Sequence, residues 1–402
     1  MVAEPVHGPV MGGRGTVSPM AVAVAVAVAH GVNDAYAAFL HPLLPRIMTR
    51  LGLNITLAAT LAMTLSLGAS LVQPLMGHWA DRYGRRAFVV AGPLLTGVFM
   101  SLIGVAPTFG VLCLFLALGG LGSAAFHPPG ASMAGRAGGR GGGTRLSFFS
   151  FGGSAGYAAG PLVAVGAVAL VGLDRLWLAM IPVLVLTPVL LRVLPPDPPS
   201  PAAAIAPRPR ELIALLAGPL GLVFGISAVG AFVQRVFLTM EPIIVNAAGG
   251  SEALGAVVLS CYLGGQAGGS LLGGMLADRM NRRVLLAGLT ILSLPAHLLA
   301  LWLAPGSAGA LVAAALAGLL TMALIPPVVL IAQEVLPARA ALGSGIVMGL
   351  AWALGSVGVL GAGALGDALG AQSAALIVMP VLLLATAFAA FLPSRGPEGA
   401  SA

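Results

Sequence analysis

Along the chain, stretches of about twenty mostly apolar residues alternate with short polar or arginine-bearing connections. Twelve such stretches begin near Met20, Ile55, Ala87, Phe109, Leu146, Leu176, Pro219, Glu252, Val284, Ser307, Ala341 and Ala371. At 1.5 Å rise per residue, about 20 apolar residues cross a bilayer core as a helix, so the pattern predicts twelve transmembrane helices. Ala21 to Ala29 alternates Ala and Val, which by period alone reads as a strand. A lone strand in lipid leaves its backbone unpaired, so the helix is expected there too, and the chain reads as an all-α membrane protein.

Punctuation divides the chain in two. Pro195 to Arg210 is rich in Pro and too polar to enter the bilayer. It separates an N-terminal six-helix half (20–194) from a C-terminal one (211–393), with tails at 1–19 and 394–402. The apolar start could pass for a signal peptide, but it continues without a small-residue cleavage site through His30, Asn33 and Asp34 to Pro45, as one long span.

Composition reinforces this reading. Of 402 residues 58% are hydrophobic and only 8% charged, against roughly 25% charged in a soluble domain. The net charge of +7 comes with arginines dispersed between spans, which argues against a nucleic-acid surface. With the N-terminus in the cytoplasm, the cytoplasmic connections hold Arg82, Arg85, Arg86, Arg136, Arg140, Arg145, Arg192, Arg208, Arg210, Arg279, Arg282, Arg283 and Arg339. The other side holds mainly Arg46, Arg50 and Arg175. This asymmetry predicts cytoplasmic termini and a multi-pass protein of the bacterial inner membrane. Cys113 and Cys261 each sit inside an apolar span and read as small buried hydrophobes.

One charged loop occurs twice. Gly77-His78-Trp79-Ala80-Asp81-Arg82-Tyr83-Gly84-Arg85-Arg86 returns 197 positions later as Gly274-Met275-Leu276-Ala277-Asp278-Arg279-Met280-Asn281-Arg282-Arg283, identical at six of ten positions. The same offset pairs Pro45 with Pro242, Gly52 with Gly249 and Gly68 with Gly265, so the halves are a duplication. Gly77 and Gly274 are expected where helices approach closely, and Gly84 and Asn281 in left-handed turns. Asp81 is expected at the N-terminus of the eleventh helix and Asp278 at that of the fifth, as latches that form when the cytoplasmic side closes.

Ionisable residues inside apolar spans are costly and mark function. His30, Asn33, Asp34 and His41 fall on one face of the first helix, where Asp34 can serve as a proton site and His30 can share its proton. A fixed structural hydrogen bond is the other reading. His127 stands at a Pro-induced break, Ala124-Ala125-Phe126-His127-Pro128-Pro129-Gly130, either as a coupling or substrate residue or as a helix-break cap. Gly152, Gly153, Gly156, Gly160 and Pro161 in the fifth helix permit tight packing or a hinge. In the seventh, Arg235 beside Gln234 demands an anion: either a carboxylate such as Glu241 or Asp34, or an anionic substrate. Gln333 and Glu334 are expected in a latch network around Arg339.

The duplicated loop resembles the signature loop of the major facilitator superfamily. That resemblance implies two pseudo-symmetric six-helix bundles rocking about a central cavity. The stretch Gly156 to Pro161 resembles a fifth-helix motif of proton-antiporting drug exporters, although Leu116 stands where their fourth-helix Arg would align. A nearer resemblance is to the fosmidomycin-resistance-type branch, in His30-Gly31-Val32-Asn33-Asp34-Ala35-Tyr36, Pro42 to Pro45, Ala125 to Pro128 and Gly152 to Pro161. It implies that Asp34, His30 and His127 are central polar residues of a proton-driven exporter. The expected substrate cavity is lined by Asn33, Tyr36, Gln234, Arg235 and Glu241. Its partners are a small molecule, protons and lipid, with no cofactor, no metal and no nucleic acid, and the protein is expected to be a monomer.

Three functions remain open at this point. The first is proton-coupled efflux of a small drug or metabolite, as in an antiporter conferring drug resistance. The second is proton-linked uptake of an organic anion. The third is an intramembrane enzyme, for which no Ser or Cys nucleophile motif is present. No Walker A sequence points to direct use of ATP.

Overall fold

The structure is a computed structural model, and it describes residues 18–136, 142–196, 210 and 214–393. Residues 1–17, Arg140, Arg208, nearly all of the Pro195 to Arg210 connection and the tail 394–402 lie outside the described residues.

Twelve helical spans make up the described chain: α1 Pro19–Leu51, α2 Ile55–Tyr83, α3 Arg85–Val105, α4 Phe109–Arg136, α5 Gly142–Val171, α6 Leu173–Val193, α7 Pro219–Ala247, α8 Glu252–Ala277, α9 Arg282–Trp302, α10 Ala308–Val335, α11 Leu342–Leu369 and α12 Ala371–Ala390. Eleven are long and apolar enough to cross a membrane by composition. The other, α8, is 26 residues long but diluted by glycine. The starts expected from sequence match to within a few residues, the widest difference being Leu146 against Gly142.

The glycines of α8 have a packing explanation. A Cβ on Gly265, Gly269 or Gly273 would lie 1.9, 2.0 or 2.2 Å from the carbonyl oxygens of Ala315, Leu319 and Ala323 on α10. Each step of four residues brings the two backbones together again, so the helices meet without side chains between them. The N-terminal bundle repeats the device with α5 on α1. There a Cβ on Gly152, Gly156 or Gly160 would lie 2.3, 1.9 or 2.5 Å from the carbonyl oxygens of Ala27, Gly31 and Ala35. The helix α5 runs unbroken through Pro161, and these glycines act here as a close-packing ladder. Gly156→Leu is therefore expected to lower stability by about 3 kcal/mol or more, since overpacking by even a few methylenes costs about 1–3. Thermal unfolding in detergent checks this.

The duplicated loops differ from expectation in two details. Gly84 takes a left-handed φ of 98°, whereas Asn281 keeps a φ of −59° and caps α9, its Oδ1 accepting from the N–H groups of Arg283 and Val284 at 3.0 and 3.4 Å. A side-chain oxygen at that position relieves unpaired N–H groups at a helix start, an alternative to the left-handed turn open to Asn and closed to Gly. Gly77 and Gly274 face Pro128 and Pro326, where an added Cβ would make only ordinary contacts at 3.4 and 3.9 Å. Glu334 pairs with Arg282 at 2.6 Å, and Gln333 donates to Ser344 at 2.9 Å.

The bundles meet along α2 with α11 and α5 with α8. They are tied at the face away from the duplicated loops. There Asp367, at the end of α11, accepts hydrogen bonds from the backbone N–H groups of Ile55 and Thr56 at 2.7 and 3.2 Å and from the Thr56 hydroxyl at 2.5 Å. A carboxylate thus caps the N-terminus of α2 across the interface, with the helix dipole in its favour. Arg46 and Glu252 add an ion pair at 2.6 Å. At the loop face Asp81 pairs with Arg85 of its own loop at 2.5 Å, and the Asp278 carboxylate makes no hydrogen bond or ion pair with the described residues. The latches expected there are not formed in this conformation, whose closed face is the other one.

Candidate functional site

Two helices bring Asp34, His30 and His127 together. Asp34 lies on α1 with its carboxylate side chain only 17% exposed, one turn from His30, and α4 supplies His127. His30 Nε2 is 3.2 Å from Asp34 Oδ2, and His127 Nε2 is 3.3 Å from Oδ1. Asn33 donates to the same Oδ1 at 2.9 Å and to Ser123 at 3.2 Å. Among the described residues, no other cation pairs with this carboxylate.

The far nitrogens define the protonation chemistry. His30 Nδ1 sits 2.8 Å from the carbonyl oxygen of Phe149 on α5, and His127 Nδ1 sits 2.7 Å from that of Ser123. Carbonyl oxygens only accept, so both Nδ1 atoms carry hydrogen. Each neutral imidazole then turns a lone pair toward an acceptor carboxylate, and each contact lacks one proton. One added proton completes one contact and leaves the cluster neutral; a second completes both and leaves it at +1. The three ligand atoms lie within 4.8 Å of one another. They are close enough to share one small cation.

Local sequence explains the geometry. The helix α4 does not end at Pro128 but runs to Arg136, so His127 is a mid-helix residue whose ring bonds back one turn to Ser123. Gly153 makes room for His30: a Cβ there would lie 2.3 Å from Cε1 and 2.4 Å from Nε2 of the ring. Gly153→Ala is expected to turn the imidazole out of the cluster and abolish its Nδ1–H tautomer with the helices intact. Nitrogen NMR of labelled histidine reads this directly.

His41 does not join the cluster. The first span bends at Ala38–Phe39, four residues before Pro42, whose ring clashes with a straight continuation and whose missing N–H removes a helical bond. The common face expected from spacing is lost at the bend, and His41 is buried with Nδ1 unpartnered. Tyr36 donates its hydroxyl to the carbonyl of Ala179 on α6 and so helps hold the bundle together.

Across the interface, Arg235 on α7 has no ion pair with Asp34, Glu241 or any other described carboxylate. Its Nη1 donates to the Tyr157 hydroxyl on α5 at 3.4 Å, and its Cζ stands 6.0 Å from the centre of the Trp352 ring. Gln234 donates to Gln266 at 2.9 Å beside a crevice of about 10 Å³ that Trp352 also lines. Glu241 is buried with Oε2 unpartnered. A second buried polar group, His297 with Ser293, Thr321 and Tyr262, is satisfied within the C-terminal bundle, its Nδ1 donating to the Ser293 carbonyl at 2.8 Å. The sequence reading missed Tyr157, Trp352, Gln266, Asp367 and His297; an acid or an amphipathic ring inside an apolar span was the available signal.

Two pseudo-symmetric bundles of membrane-spanning helices, with Arg235 and Tyr157 meeting across their interface, make a multi-pass membrane protein with polar groups inside its spans. The chain belongs to the Major Facilitator Superfamily, whose family model matches residues 26–238 and 220–402. It is similar to the fosmidomycin resistance protein of Escherichia coli (strain K12), 25% identical over 357 residues that cover 85% of this chain and 86% of that protein. It is also similar to YfnC of Bacillus subtilis (strain 168), described as an uncharacterized MFS-type transporter, at 28% identity over 384 residues and 90% of each chain. Solved structures with the same fold include an inward-facing, unoccupied bacterial homolog of the human lysosomal transporter Spinster, with TM-score 0.78, 15% identity and 93% and 96% of the two chains covered. The nucleoside transporter NupG matches with TM-score 0.77 at 13% identity over 92% of this chain and 100% of that one.

Proposed function

We propose that the protein is a proton-coupled exporter of a small drug or metabolite in the bacterial cytoplasmic membrane, with both termini in the cytoplasm, working by alternating access. One observation carries the proton coupling: two histidines, each anchored through Nδ1 to a backbone carbonyl, turn Nε2 toward a single carboxylate in the membrane span. Binding a proton there ties α1 to α4 and, through His30 and Phe149, to α5. A proton that ties helices together in one conformation and not in the other biases the equilibrium between them. His127, the most exposed of the three side chains at 29%, is the entry point for the proton. Closure of the cytoplasmic face brings Asp81 to the start of α11 and Asp278 to the start of α5 while the Asp367 cap releases α2.

Efflux as the direction is supported by the relative named for fosmidomycin resistance. Uptake of an organic anion is the second reading, and the unpaired Arg235 favours it. Sensitivity screening of a deletion strain and an overexpressing strain identifies the substrate, and proteoliposomes with opposite imposed pH gradients then decide the direction. Accumulation against the proton gradient's entry side supports export; accumulation in the same direction as proton entry overturns it in favour of uptake.

A further inference from the structure

Around Arg235 the structure leaves two buried hydrogen-bond donors unpartnered, in the neighbourhood of the buried His41. Arg235 Nε is buried and unpartnered, and so is Trp352 Nε1. The Tyr157 hydroxyl, at 3.4 Å, accepts from Arg235 Nη1, which leaves its own proton free to donate to a third group. Guanidinium and indole N–H groups only donate. An unpaired cation in a membrane span is among the costliest groups a protein can carry, and leaving it beside two further donors compounds the cost. Of the nearby amides, Gln266 spends its acceptor oxygen on Gln234 Nε2 at 2.9 Å.

We infer that Arg235, Tyr157 and Trp352 form the anchor for an anionic head group, a carboxylate or phosphonate-type oxyanion, on the transported molecule. This rests on the transport reading given above and names the substrate class that the bundle interface would take. The guanidinium fork supplies paired donors to an oxyanion, and the Trp352 ring beside it offers a flat apolar surface to the body of the substrate. The anchor spans both bundles, with Tyr157 on α5 of one and Arg235 and Trp352 on α7 and α11 of the other, so a bound anion bridges the interface that must open and close. Phe149, which holds His30, lies eight residues before Tyr157 on the same helix, about 12 Å away along its axis. One rigid element thereby touches both the proton cluster and the anion anchor.

The test uses purified full-length protein in nanodiscs, with no gradient, and four probes that share an aromatic ring: benzoate, phenylphosphonate, benzamide and benzylammonium. Thermal stabilisation and tryptophan quenching are read for each. The two anions are expected to bind about tenfold or more tightly than benzamide, and benzylammonium to be excluded. Arg235→Gln is expected to erase that preference, and Arg235→Lys to keep part of it because the charge stays while the fork is lost. Without ligand, Arg235→Gln is expected to melt no lower than the wild type, because it removes an unpaired charge. Equal binding of anions and benzamide by the wild type, an anion preference that survives Arg235→Gln, or a fall in melting temperature typical of a broken structural pair overturns the assignment. Because no gradient is applied, loss of proton coupling leaves these readings intact and is recognised separately in vesicles.

Discussion

Asp34→Asn is expected to reduce uphill transport to background while leaving downhill exchange of substrate in place. The substituted amide donates to one imidazole Nε2 and keeps an oxygen for the other contacts, so it copies the singly protonated cluster and holds it permanently. Protein in which the cluster no longer gains and loses a proton has the same proton affinity in both conformations, and a gradient then has nothing to act on. A gradient of one pH unit carrying one proton per substrate supports a concentration ratio of about ten; the variant should stay near one. The measurement is substrate accumulation in proteoliposomes, paired with exchange of labelled for unlabelled substrate across the same membranes. Accumulation by the variant at the wild-type level would remove Asp34 from the coupling step.

A cross-link at the closed face should stop transport completely and reversibly. Gly363 on α11 faces Ala59 on α2 so closely that a Cβ on the glycine would lie 2.8 Å from the alanine Cβ. A disulfide prefers about 3.8 Å, so Ala59→Cys with Gly363→Cys needs a shift of about 1 Å between two small-residue surfaces. The oxidised double variant is held with the Asp367 cap engaged and the opposite face unable to close. Its transport should fall to background and return on reduction, with each single variant active. Undiminished transport by protein shown on a gel to be fully cross-linked would mean that α2 and α11 need not separate, which contradicts alternating access.

Most of the fold could be read from the chain because the bilayer narrows the choices. A run of twenty apolar residues has one good solution, and a charged loop repeated 197 positions apart gives the register of the halves. Helix α8 fits that register although its glycines dilute its hydropathy; the same glycines that weaken the signal are the contact with α10. The candidate site was partly legible. The i to i+4 spacing of His30 and Asp34 put them on one face, but the same reasoning carried His41 onto that face, because periodicity does not register a bend. The meeting of His127 with Asp34 depends on how α4 packs against α1, which no local pattern specifies. Tyr157, Trp352 and Arg235 come from three helices of two bundles, and their convergence is a property of the interface. The carboxylate on a helix N-terminus was expected at Asp81 and Asp278; this conformation uses the same physics at Asp367, on the face that is shut.

The central claim is that the His30, Asp34 and His127 cluster exchanges a proton for substrate. Its most direct test is to add the substrate identified by sensitivity screening to purified protein in weakly buffered solution and to record the pH. The account predicts release of about one proton per substrate bound by the wild type, and none by Asp34→Asn at matched occupancy. Equal proton release by the two proteins, or binding by the wild type with no change in pH, would contradict it.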